Sequence, residues 1–307
     1  MLRRAIALCV VLLLGGCSPL GMVDGVTPSN GYIRVEGLAY GDGPRQHLDL
    51  YQPLTPLPKH PVVVFFYGGS WTSGERGHYR FVARALAQRG ILAVIADYRL
   101  YPQVRYPDFL QDNALAVAWV HRHVAAYGGN PQALFLMGHS SGAYNAAMLA
   151  LDGSLLQAVG LSPADIRGWI GLAGPYDFLP VENTEVRPVF FYPNTPADSQ
   201  PINHVQAGAP PALLIAANTD SYVNPVRNTG GLARRLREVG VPVEVHYMDR
   251  VNHMTLIGAF AWPLQWLAPV VDEVVGFVGR GGPRVPTNHP ASATASPSAP
   301  ASPPAAP

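Results

Sequence analysis

Residues 133–143, Ala-Leu-Phe-Leu-Met-Gly-His-Ser-Ser-Gly-Ala, decide the fold. An unbroken apolar run, Ala133 to Met137, enters Gly138-His139-Ser140-Ser141-Gly142, and a helix of small and apolar residues leaves it toward Leu151. Strand, sharp turn and helix in that order, with serine in the middle of a G-x-S-x-G pattern, is the setting of a nucleophile elbow. The two glycines leave room for a tight turn beneath the serine and allow the strand and helix to approach closely. A pentapeptide in a glycine-rich chain carries little alone, so the reading rests on its surroundings.

On both sides of the elbow, short apolar runs alternate with helical stretches. Val62–Tyr67, Ile91–Asp97, Leu134–Gly138, Gly168–Leu172 and Ala212–Ala217 read as strands covered on both faces, because their hydrophobicity is continuous. Ile33–Tyr40 and His47–Gln52 read as a starting hairpin, and Val243–Tyr247 as a final strand with alternating character. His78–Arg89, Asp108–Tyr127, Ser141–Leu151, Pro225–Val239 and Trp262–Val278 read as helices, with Asp108 a candidate cap and Gly128 or Gly129 a left-handed stop. The repeated strand-helix unit predicts an α/β fold, a mostly parallel central sheet with helices on both faces and a small cap. Chemistry in such a sheet belongs at the carboxyl ends of the strands.

A serine hydroxyl needs a base within hydrogen-bond reach, and the base needs an orienting acid. Of the histidines late in the chain, His289 lies in a biased tail and His246 inside the alternating strand. His253, between that strand and the last helix, is the expected base. Asp220 follows the strand ending at Ala217 and is the expected acid; Asp177, after the preceding strand, is the alternative, and Asp249 a more distant one. The amide of Ser141 opens the helix and is expected to face the oxyanion, joined by Gly69 and Ser70 in Tyr67-Gly-Gly-Ser-Trp-Thr-Ser-Gly74. That glycine-rich loop lacks the pattern of a nucleotide-binding P-loop, and the only lysine in the chain, Lys59, sits in a proline-flanked stretch. No cofactor or metal is expected.

Tyr67-Gly-Gly-Ser-Trp71, Asp97-Tyr-Arg99, Tyr127-Gly-Gly-Asn-Pro131, Gly138-His-Ser-Ser-Gly142, Gly174-Pro-Tyr-Asp177, Asp220 and His253 together resemble the carboxylesterase branch of the α/β-hydrolases. The nearest resemblance is to HGGG-W esterases of the feruloyl-esterase-like, kynurenine-formamidase-like and isoprenylcysteine-methylesterase-like groups. It implies hydrolysis of short-chain or aromatic esters through an acyl-enzyme, with an amidase or formamidase, or a non-catalytic binding protein of the same fold, as alternatives. These families commonly carry His where this chain has Tyr67, and Gly or Ala where it has Ser70. The segment between Leu172 and Leu213 is too short for a large lid, and Phe190, Phe191 and Tyr192 in it are candidates for either pocket wall or core.

The 21 Lys plus Arg against 20 Asp plus Glu leave no field for nucleic acid. Arg3 and Arg4 followed by the apolar run Ala5–Leu14 read as an export signal too short to span a bilayer. Leu14-Gly-Gly-Cys17 is similar to the lipobox of bacterial lipoproteins, which implies a signal over residues 1–16, lipidation of Cys17 and a membrane partner. Ser18 after the cysteine implies the outer membrane; an ordinary cleaved signal with a chance cysteine is the alternative. Residues 17–31 are expected as a tether, 32–280 as one catalytic domain, and 281–307, almost wholly Pro, Ala, Ser, Thr and Gly, as a disordered tail.

Overall fold

The computed structural model describes residues 19–25 and 27–284. The signal, Cys17 and residues 285–307 of the tail lie outside the described residues. Eight strands form one sheet in the order β1-β2-β4-β3-β5-β6-β7-β8. They are β1 (Tyr32–Ala39), β2 (His47–Pro53), β3 (Val62–Phe66), β4 (Leu92–Ala96), β5 (Leu134–His139), β6 (Gly168–Leu172), β7 (Ala212–Ala217) and β8 (Val243–Met248). The hairpin β1–β2 is antiparallel and β2 joins β4 antiparallel; from β4 through β8 every pairing is parallel. Side chains of β3, β4, β5, β6 and β7 are buried along their whole length. Their unbroken hydrophobicity therefore reports two covered faces.

The helices are α1 (Pro19–Gly25), α2 (Arg80–Ala87), α3 (Asp108–His123), α4 (Ser141–Leu151), α5 (Gly153–Gln157), α6 (Gly231–Glu238), α7 (His253–Gly258) and α8 (Val270–Arg280). One apolar layer joins α2 and α8 to a face of the sheet, and a second joins α3, α4 and α6 to the other. The strand expectations hold to within about two residues, and the helical ones need adjustment; Pro225–Val239, for one, begins with a π turn, Val226–Gly230, before α6. The last stretch divides into a 3-10 turn, Trp262–Leu267, and α8, because Ala268 is extended before Pro269. Asp108 is the first helical residue of α3 and not its cap, which is Pro107. Finally, α1 lies within the expected tether: Asp24 is buried, accepts the Phe81 amide at 3.1 Å and pairs with Arg80 at 3.4 Å. Part of that segment is thus seated on the domain.

The elbow explains its glycines. A methyl group built on Gly138 falls 2.0 Å from the carbonyl oxygen of Gly142, and one on Gly142 falls 2.0 Å from that of Phe66. Both neighbours are backbone and cannot step aside. By contrast, nothing lies within 4 Å of the position at Gly279 in α8, whose backbone is helical. Gly142→Ala is expected to cost about 2–4 kcal/mol through backbone displacement, whereas Gly279→Ala stabilises by about 0.4–1 kcal/mol. Chemical denaturation of the two variants beside wild type checks both signs; a neutral Gly142→Ala contradicts the packing described.

Candidate active site

Ser140 sits at the tip of the turn from β5 into α4, with φ 55° and ψ −123°. Such a backbone is costly for a residue with a side chain and persists only where its surroundings hold it. Here its amide donates to the Leu172 carbonyl of the neighbouring strand at 2.9 Å, and its own carbonyl takes the amide of Ala143 at 2.9 Å. Gly68, opposite, leaves only 2.9 Å between a would-be methyl and Cβ of Ser140, so the loop after β3 closes directly over Ser140.

His253 is the first residue of α7, a short helix not anticipated from the sequence. Asn252 sets it: the Asn252 side chain accepts the amides of Met254 at 3.1 Å and Thr255 at 2.9 Å, and the Thr255 hydroxyl accepts the Asn252 amide at 2.8 Å. The result points the imidazole back at the elbow. His253 Nε2 lies 2.9 Å from Ser140 Oγ, and Nδ1 lies 2.7 Å from Asp220 Oδ2. Asp220, in the turn after β7, has its other oxygen occupied by the amides of Tyr222 at 2.8 Å and Val223 at 2.9 Å. Burial pushes the Asp220 carboxyl upward, but His253 and the two amides outweigh it, leaving it below its ordinary 3.8. A depressed carboxyl adds stability that is complete above that ordinary value and is lost as pH falls through the lower folded one. At neutral pH Asp220 is therefore an anion, set 2.7 Å from Nδ1 of His253.

His139, inside the elbow, adds a contact the sequence did not disclose. Its Nε2 stands 2.9 Å from the carbonyl oxygen of His253. Burial first, and the neighbouring His253 second, depress its pKa to about 3, so it is neutral and donates that bond. The elbow thus holds the backbone of His253 as well as its side chain. Tyr222, largely exposed, lays its ring 5.2 Å from that of His253 at the mouth.

The amides of Gly69, Ser70 and Ser141 border the same cavity as Ser140, and none has a protein acceptor among the described residues. The cavity measures about 610 Å³ and is walled by Trp71, Phe178, Val181 and Val186 on its apolar side. Asp177, the alternative acid, also borders it but is engaged elsewhere: Arg227 holds both its oxygens, at 2.9 and 3.1 Å. Asp249 accepts from Asn218, and His246 pairs with Glu244 at 3.0 Å, so neither reaches the elbow. Of the aromatic trio in the cap, Phe190 is core, 4.8 Å from Trp71, while Phe191 and Tyr192 lie at the surface beneath Arg105 and Arg187. None of the three walls the cavity. Among the described residues, Glu244, His246 and Glu273 bring ligand-type atoms within 4.8 Å. Arg280 and Arg284 already pair with those two carboxylates, each at 3.0 Å, which neutralises the group.

Comparison with known proteins places this geometry. The BD-FAE family model matches residues 48–236, a span from β2 to α6 that includes Ser140 and Asp220 and stops short of His253. A probable isoprenylcysteine alpha-carbonyl methylesterase of Arabidopsis thaliana is 29% identical over 267 residues, covering 80% of this chain and 55% of that protein. A probable carboxylic ester hydrolase of Mycobacterium tuberculosis, LipM, is 31% identical over 228 residues, covering 68% of this chain and 53% of that one. The chain therefore spans about half the length of these curated relatives. Among solved structures, esterase B of Lactobacillus rhamnosis, inhibited by a tributyrin phosphonate, aligns with a TM-score of 0.72 at 17% identity, over 91% of this chain and 95% of that one. Esterase 2 of Thermogutta terrifontis with butyrate bound aligns with a TM-score of 0.63 at 23% identity, over 81% and 95%. At those identities the likeness concerns the fold. The strand order, the elbow and the matched span together identify the chain as an α/β-hydrolase that belongs to the BD-FAE family.

Proposed function

We propose that this protein is a serine carboxylesterase in which Ser140 is the nucleophile, His253 the general base and Asp220 the orienting acid. The observation that carries the reading is the unbroken relay Asp220–His253–Ser140, at 2.7 and 2.9 Å, on the floor of a cavity. Relatives named as ester hydrolases support it. Ser140 Oγ attacks the ester carbonyl as His253 Nε2 takes its proton, and the imidazolium that forms is stabilised by Asp220. The carbonyl oxygen, now an anion, is met by the amides of Gly69, Ser70 and Ser141. His253 then returns the proton to the departing alcohol, leaving an acyl group on Ser140. A water molecule, deprotonated by His253 in turn, releases the acid and restores the serine.

The apolar wall and the short cap favour a compact acyl or aryl group over a long chain, since the cavity matches the volume of a small ligand. Butyryl and aryl esters are expected to give kcat/KM at least about tenfold above dodecanoyl or longer esters, the scale on which a pocket discriminates a few methylenes. A series of p-nitrophenyl esters of rising chain length checks this; a rate that climbs with length contradicts it. Ser140→Ala is expected to lower kcat by a factor on the order of 10⁴ or more and to abolish labelling by a fluorophosphonate. Labelling that survives in the mutant removes Ser140 from the role.

The place of action is a separate proposal, resting on Arg3, Arg4, the apolar run and Leu14-Gly-Gly-Cys17, all outside the described residues. Cys17 carries diacylglyceryl and anchors the catalytic domain to the cell envelope, at the outer membrane; more than one acyl chain supplies the stable attachment that one would not. Cys17→Ser is expected to move the protein from the membrane fraction to the soluble one with esterase activity intact. Equal membrane retention of mutant and wild type, on fractionation, overturns the anchor.

A further inference from the structure

Tyr67, which opens the loop facing Ser140, is buried and held on every side. Its ring lies between those of Tyr98, 4.9 Å away, and Tyr79, 5.4 Å away, nearly parallel to both. Its hydroxyl donates to Asp97 Oδ1 at 2.7 Å and accepts from Arg45 Nη2 at 2.7 Å. The same Arg45 nitrogen donates to the carbonyl of Gly74 at 2.6 Å, and Arg45 Nε is fixed on the Tyr98 carbonyl at 2.8 Å. One guanidinium therefore ties the side chain that begins the loop to the carbonyl that ends it. Gly74 also rests on the Tyr67 ring, leaving only 2.7 Å for a would-be methyl.

Behind this tie, two buried carboxylates are each paired with partly exposed arginines. Asp97 accepts the Arg76 amide at 2.8 Å and its guanidinium, and Arg76 Nε reaches Asp49 at 2.9 Å. Asp49 also accepts the Gly37 amide at 2.9 Å and takes Arg34 at 2.8 Å, and its carboxyl stands below its ordinary value because the Gly37 amide, Arg34 and Arg76 together overcome the upward push of burial. The result is a fixed frame on which the Tyr67 hydroxyl is mounted, with no freedom to trade partners.

The loop needs such a frame. Gly69, Ser70, Trp71 and Gly74 have φ of 132°, 54°, 59° and 106°, so two residues with side chains occupy the left-handed region in succession. That conformation holds only where it is over-determined, and Gly69 and Ser70 both line the cavity beside Ser140.

We propose that Tyr67 is a positioning residue for oxyanion stabilisation: its hydroxyl, clamped between Arg45 and Asp97, fixes the loop so that the Gly69 and Ser70 amides converge with that of Ser141. This role rests on the esterase reading. Tyr67→Phe removes one oxygen while keeping the stack and the seat of Gly74. Its kcat per fluorophosphonate-titrated site on p-nitrophenyl butyrate is expected to fall about 10- to 100-fold, less than the loss on deleting an oxyanion donor. KM stays within about twofold, and affinity for an aryl boronic acid, which mimics the oxyanion, falls by the same factor as kcat. The pH profile does not move, since the relay is untouched. Arg45→Met, which cuts the tie from the other side, is expected to behave alike and serves if Tyr67→Phe fails to fold. A kcat per titrated site within twofold of an active wild type, or a loss of kcat with boronate affinity unchanged, overturns the role of Tyr67 alone. A wild type with neither turnover nor labelling overturns the esterase reading and this role with it.

Discussion

The reversed backbone at Ser140 is the constraint on which the rest of the structure depends. A residue with a side chain held at φ 55° and ψ −123° sits at a cost of order 1–3 kcal/mol, which its surroundings must offset. They do so with hydrogen bonds to β6 and into α4, and with three glycines, Gly68, Gly138 and Gly142, where any side chain would meet backbone or Ser140 itself. Parallel pairing of β5 with β3 on one side and β6 on the other puts the elbow at the centre of the sheet. Both neighbouring strands then end beside it, and their following loops deliver the Gly69–Ser70 amides and the cap.

Two electrostatic arrangements serve that one point by different means. The run from Asp220 through His253 to Ser140 is short and buried, closed by contacts of 2.7 and 2.9 Å. The assembly of Asp49, Arg76, Asp97, Tyr67 and Arg45 moves nothing; its opposed charges neutralise one another so that two carboxylates can lie buried near the cavity. His139 links the two levels, since it belongs to the elbow and holds the backbone of the base. Neutral by virtue of its burial, it adds no charge beside His253.

Sequence patterns disclosed the fold, and singled out the three residues that the structure brings together at the elbow, for a physical reason: each is tied to local chain geometry. A buried parallel strand must be apolar throughout, an elbow must have small neighbours, and a base must follow a strand end. What stayed hidden depends on contacts between distant segments. Arg45 lies in a turn that resembles any polar turn, and only the pairing of β2 with β4 brings it beneath Gly74. Phe190 and Tyr192 could not be separated by composition, although one is core and the other surface. Asn252 did carry a signal: Asn followed three residues later by Thr is a capping pair, which would have placed His253 at a helix start. Asp177 and Asp220 both follow strands, and the difference between them is Arg227, which occupies the first and leaves the second to the histidine.

The central claim, that the elbow and relay form a covalent acyl-enzyme, is tested most directly by mass spectrometry of the wild-type protein quenched during turnover of p-nitrophenyl acetate. A single added acetyl group is expected, located by fragmentation on Ser140 and lost on standing as water completes the cycle. An enzyme that turns the ester over without acetylation, or that carries the acetyl on Ser70 or Ser141 instead, contradicts it.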